Sequence, residues 1–194
     1  MHNAHRIFTA IACSATLVAV VAATAIPAFP AAAQLFSEER VEAVAVVGAS
    51  PLVHGATVHA AVEIQVRRGF HVNANPASED FLIATTVSTA VPGIEVVEVY
   101  YPDALERSFG FWPEALKVWE GNVVAGVVLR VTDAAALGDT PIEFVVDYQA
   151  CNDEACFAPA KTSATVPVMV AAAGTPSREV ASPLLDKARF DSGS

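Results

Sequence analysis

A two-residue period of apolar side chains constrains this chain more than any other feature. Over residues 56–66, Val58, Ala60, Val62, Ile64 and Val66 alternate with Thr57, His59, Ala61, Glu63 and Gln65. Successive side chains of a strand point to opposite faces, so this run predicts a half-buried strand; a helix would scatter the same residues around its circumference. Residues 122–132 repeat the pattern, with Val123, Ala125, Val127, Leu129 and Val131 inward and Gly126 and Arg130 outward. Ile142, Phe144, Val146 and Tyr148 make a third inward row, opposed by Glu143, Val145, Asp147 and Gln149. Weaker strands are expected at residues 41–47, 83–89, 94–100 and 162–170.

About seven short strands, separated by turns such as Ser50-Pro51, Val91-Pro92-Gly93 and Gly138-Asp139-Thr140-Pro141, predict an all-β fold. Two packed antiparallel sheets in an immunoglobulin-like sandwich fit that spacing. Nothing between Gln34 and Val170 holds a helical period. Residues 101–119 are the one long excursion, and Pro102, Gly110 and Pro113 predict a structured loop there rather than a strand. Beyond Val170 the chain turns to Ala, Gly, Pro and Ser, so residues 171–194 are expected as a flexible C-terminal tail, with a helical turn or two at residues 183–190.

The first 33 residues are expected to be an address. Arg6 precedes twenty uncharged residues, 7–26, and Ala31-Ala32-Ala33 then offers a small-residue cleavage site. Residues 1–33 are read as a signal peptide and 34–170 as the domain, exported to the periplasm. An uncleaved anchor is the alternative for a run of that length, and lipidation at Cys13 is weakly supported because the apolar stretch before it is short. After cleavage no run of membrane length remains, so no stable membrane insertion is expected. Removing Arg6 takes the formal charge from −10 to −11. With Lys and Arg few and scattered, a phosphate-tracking surface is excluded, so no nucleic acid is expected as a partner.

Export leaves two cysteines, Cys151 and Cys156, at the ends of a four-residue polar turn that follows a strand. Such a pair is within disulfide reach. It reads either as a reversible dithiol or as a structural staple, and a staple closing so small a loop would contribute only about 2 kcal/mol. No metal is expected, since His54, His59 and His71 have no tetrahedral-site spacing with the pair; no cofactor motif appears either. By strand parity Cys151 falls with Asp147 and Gln149, away from the core row, and is expected to be reachable. Asp147, Asp153 and Glu154 flank the thiols and the nearest base in sequence is Lys161. Those acids disfavour thiolate and so predict slow, partner-selective exchange.

The stretch Tyr148-Gln149-Ala150-Cys151-Asn152-Asp153-Glu154-Ala155-Cys156-Phe157-Ala158-Pro159 resembles the N-terminal periplasmic domain of the transmembrane thiol:disulfide interchange reductase DsbD and its standalone relatives. Gly69-Phe70-His71-Val72-Asn73-Ala74-Asn75-Pro76, Ser78-Glu79-Asp80-Phe81-Leu82-Ile83, Phe109-Gly110-Phe111-Trp112 and Val118-Trp119-Glu120-Gly121 agree with it. The resemblance implies an immunoglobulin-like domain in which Cys151 and Cys156 are the redox pair. Its implied partners are thiol-disulfide oxidoreductases: a membrane-bound or thioredoxin-like electron donor, and oxidised periplasmic acceptors. It also implies an aromatic lid over the pair, with Phe109 or Phe111 the matching residue, and it places His71, Asn73 and Tyr148 beside the substrate.

Three departures stand out. Four residues separate the cysteines here against five in the full-length reductase. Arg107-Ser108 precedes Phe109 where that reductase has acidic residues. The given sequence carries no transmembrane or thioredoxin-like module, so the donor is expected to be a separate protein. The competing expectation is a non-redox, immunoglobulin-like protein-binding domain whose disulfide is a brace.

Overall fold

The computed structural model describes residues 39–110 and 112–191, which belong to one compact unit. The expected signal peptide and Phe111 lie outside the described residues. In chain order the strands are β1 (Val41–Val47), β2 (Ala49–Ser50), β3 (Leu52–Val53), β4 (Thr57–Val66), β5 (His71–Asn73), β6 (Thr86–Ser88), β7 (Ile94–Tyr100), β8 (Leu105–Arg107) and β9 (Leu116–Trp119). They continue as β10 (Asn122–Val131), β11 (Gly138–Asp139), β12 (Ile142–Tyr148), β13 (Ala150–Cys151), β14 (Ala160–Val166), β15 (Met169–Ala171) and β16 (Arg178–Glu179), followed by a short helix α1 (Pro183–Lys187).

The architecture is an immunoglobulin-like β-sandwich, as the alternation predicts. One layer is the antiparallel sheet β1-β4-β10-β7. The other carries β14-β12-β6 and, beyond it, β13-β5-β9-β8. Val62 and Ile64 of β4, Val127 and Leu129 of β10, Phe144 and Val146 of β12, and Trp119 of β9 all belong to one buried core. The rows read from the sequence are therefore the rows that meet between the layers. Two boundaries moved: the strand expected at 162–170 is split at Pro167 into β14 and β15, and the one expected at 83–89 begins only at Thr86. Proline has no N–H to give a ladder, which accounts for the first.

Two other expectations are corrected. Residues 101–119 are not all loop: β8 and β9 pair antiparallel, Leu105 opposite Val118 and Arg107 opposite Leu116. Pro102, Gly110 and Pro113 lie outside both strands, so the breakers mark the ends of the pair rather than its absence. Nor do residues 171–191 trail away from the sandwich. β16 pairs with β2, Ser182 caps α1 by accepting from Leu184 N–H, and the Phe190 ring stacks on His59 at 4.0 Å. Gly126 admits this segment, because a Cβ there would collide with the Arg189 carbonyl oxygen. Ala61, the register partner of Gly126, is consequently buried although it sits on the outward row of β4.

Candidate functional site

The site begins where the chain changes sheets. β12 ends at Tyr148, Gln149 breaks the ladder, and the chain re-enters as β13 beside β5, with Ala150 opposite Val72 and Cys151 opposite His71. Directly opposed residues of an antiparallel pair share a face. Val72 and Ala150 lie on the core face; His71 and Cys151 lie on the other. Strand parity thus gave the direction of Cys151 correctly, and its reachability wrongly. On that face Phe109 of the β8–β9 connection packs on His71, Phe81 and Leu82 border a groove with Leu116 and Cys156, and Cys151 is only 1% exposed. Leu116 and Val118 of β9 are buried on this same side, outside the main core.

Cys151 and Cys156 form a disulfide and a single antiparallel bridge. In contrast with its partner, Cys156 is exposed. The four residues between them are held without help from the sulfurs. Asn152 Oδ1 accepts from Glu154 N–H at 3.0 Å and Ala155 N–H at 2.8 Å, and Asn152 N–H donates to the Ala155 carbonyl. Past the turn, Phe157 N–H donates to the Ala150 carbonyl at 2.9 Å and the Phe157 carbonyl accepts from Gln149 Nε2 at 3.1 Å. An asparagine at the head of a turn commonly supplies the first kind of bond, so that much was open to inspection of the sequence.

Of the residues expected near substrate, His71 lies opposite Cys151 across the strands and Phe109 packs on His71. Their rings stack at 4.2 Å with 19° between planes. Burial lowers the His71 pKa below 6.5, opposed by the negative charges of Glu120 and Asp153. The loop that bears Phe109 springs from β8, whose Arg107 holds Glu120 through two hydrogen bonds of 3.2 and 2.9 Å. Trp112 N–H donates to the Phe109 carbonyl, closing the loop on itself.

Asn73 and Tyr148 have other duties. The Asn73 side chain donates to the Ile83 carbonyl and its own carbonyl accepts from Thr85 Oγ1, so it ties the 74–85 segment to β5. Tyr148 is 5% exposed and belongs to the main core, where burial raises its pKa. Among the flanking acids, Asp147 is paired with Lys161 at 2.6 Å, which leaves Asp153 and Glu154 as the exposed acids of the turn.

Sequence reasoning missed the surroundings of Cys156. That residue borders a groove of about 320 Å³ lined also by Phe81, Trp112, Leu116 and Gln149. Phe81 is 63% exposed and packs on Trp112 with ring centroids 5.1 Å apart. A large aromatic left so exposed is the kind of surface a protein partner covers. No local pattern announces it, because its parts come from three separate segments.

No protein-family model and no curated protein matches the chain. Among solved structures, the N-terminal domain of DsbD from Neisseria meningitidis in its reduced form aligns with 69% of this chain and 88% of its own, at 14% identity and a TM-score of 0.37. The N-terminal periplasmic domain of ScsB from Proteus mirabilis aligns with 66% of this chain at 12% identity and a TM-score of 0.47. The match spans 46% of that second chain, about half its length. AggA, the major subunit of aggregative adherence fimbriae type I from Escherichia coli, aligns with 67% of this chain at 11% identity and a TM-score of 0.28.

Proposed function

We propose that this chain is an exported thiol-disulfide exchange domain, relaying reducing equivalents through Cys151 and Cys156 between a separate membrane or thioredoxin-like donor and oxidised periplasmic proteins. The observation that carries this reading is the asymmetry of the pair. One sulfur is buried and the other stands at the edge of an apolar groove, so an incoming thiolate has one atom to attack. The hydrogen-bonded turn supports it further, since a scaffold that does not need the bond can cycle between disulfide and dithiol.

In the proposed exchange a donor thiolate attacks Cys156 Sγ, the Cys151–Cys156 bond breaks, and Cys151 leaves as a thiolate that takes up a proton. The donor's second thiol loses its proton and attacks the donor sulfur of the mixed disulfide, releasing Cys156. The donor ends as a disulfide and this domain as a dithiol, two electrons having moved. An oxidised acceptor reverses the sequence. Phe109, stacked on the cross-strand partner of Cys151, is the lid residue in this scheme, screening Cys151 until a partner displaces the loop.

Trapping with a thioredoxin-like donor that lacks its resolving cysteine tests the assignment. With the remaining cysteine of each variant carried as a thionitrobenzoate mixed disulfide, so that the donor thiolate displaces thionitrobenzoate, a covalent complex is expected with Cys151→Ser and none with Cys156→Ser; the opposite pattern would reverse the roles of the sulfurs. The alternative, a protein-binding sandwich braced by its disulfide, draws on the burial of Cys151. A reduction potential above about −300 mV favours the exchange domain, and one well below it the brace.

A further inference from the structure

We propose that Arg40 is a positioning residue for exchange at Cys156, acting through the ring of Phe157; the proposal rests on the redox reading above. The Arg40 guanidinium carbon lies 3.9 Å from the Phe157 ring centroid and 5.6 Å from that of Phe70. The two rings meet edge to face at 5.8 Å. Phe157 follows Cys156 directly, and Phe70 precedes His71, the cross-strand partner of Cys151. A single cation therefore rests on the chain neighbours of both halves of the site.

The backbone of Phe157 is fixed at both its N–H and its carbonyl, so a ring held in place holds Cys156 as well. Arg40 Nε is buried and has no hydrogen-bond partner among the described residues, as expected of a guanidinium committed to aromatic faces. A planar guanidinium stacks on a ring in a way an ammonium does not. Reduction by a partner dithiol converts the disulfide into two thiols, of which the exposed one, at Cys156, is the one open to attack and alkylation. A fixed cation beside that turn favours the ionised and hence the reduced form. The other charged groups around the couple are Asp153 and Glu154 on the turn, Glu39 beside Arg40, His71 and the Arg107–Glu120 pair across the sheet, Arg68 in the pocket that His71, Glu120 and Asp153 line, and the Asp147–Lys161 pair.

The test equilibrates the full chain with a dithiothreitol redox buffer and follows iodoacetamide alkylation of Cys156 against pH, with unfolding midpoints measured separately. Arg40→Met is expected to shift the equilibrium at least threefold toward the disulfide and to move the alkylation profile to higher pH. Arg40→Lys, which keeps the charge without the planar stack, is expected to recover only part of either shift. Phe157→Leu, which keeps the Arg40 charge and removes the ring it stacks on, is expected to fall with Arg40→Lys between Arg40→Met and wild type, and carries the test if Arg40→Met fails to fold. Wild-type equilibrium and profile in these variants would overturn the role of Arg40 whatever their stability, while leaving the redox reading intact. A wild-type couple that cannot be titrated would overturn both.

Discussion

The imidazole of His71 and the ring of Phe109 lie stacked 4.2 Å apart, directly on the face that carries Cys151. In the proposed scheme that contact is what holds the lid closed. A stacked ring pair is worth about 0.5–1.5 kcal/mol, so removing it raises the open population by about two- to tenfold. Phe109→Ala is expected to accelerate reduction by small thiols such as β-mercaptoethanol by that factor. An unchanged rate would remove Phe109 from the lid without touching the redox pair.

The same histidine gives the domain a pH dependence. Burial lowers its pKa, so the folded chain resists a proton that the unfolded chain accepts near pH 6.5. Stability is therefore complete above pH 6.5 and falls on acidification until the folded-state pKa is passed. Urea unfolding between pH 7.5 and 5.5 should show this slope in the wild type and a shallower one in His71→Asn. Parallel slopes would mean that His71 is not the group responsible.

Because the turn is organised by Asn152, Gln149 and Phe157, the double variant Cys151→Ala/Cys156→Ala is expected to fold and to lose at most about 2 kcal/mol, the chain-entropy value for so short a loop. Chemical denaturation measures it. A loss well beyond that figure would favour the brace.

At Gly126 the outer face of the main sheet receives the backbone of Arg189. Gly126→Ala is expected to cost about 1–3 kcal/mol, as overpacking does, or to release the C-terminal segment. Limited proteolysis within residues 172–190, faster in the variant than in the wild type, reads the release. A variant equal to wild type in both stability and cleavage would show that the segment does not pack there.

What was legible in the sequence follows the range of the interactions concerned. The rows of β4, β10 and β12 could be read because alternation is local and each row meets the core. The pairing of β8 with β9 could not, since three and four residues flanked by Pro and Gly carry too little pattern. Cys151 marks the sharper limit. Parity put it on the correct face, but the loops around it are placed by contacts that alternation does not report, such as Asn73 with Ile83 ten residues on and Ser78 with the distant Lys117. The groove at Cys156 and the stacking of Arg40 on Phe157 are hidden for the same reason. Asp147 read as a free acid beside the thiols until the register set Lys161 opposite it.

His71, Leu116, Val118 and Cys151 are buried beneath loops on the far side of their sheet from the main core. The molecule accordingly has two tiers of resistance to opening. Lifting those loops gives up only the thin outer tier, while β4, β10 and β12 keep their packing. Backbone amides of β5 and β13 should then exchange with solvent deuterium through local excursions far more often than those of the central strands. Cys151 is lodged in the part of the protein that can breathe without coming apart.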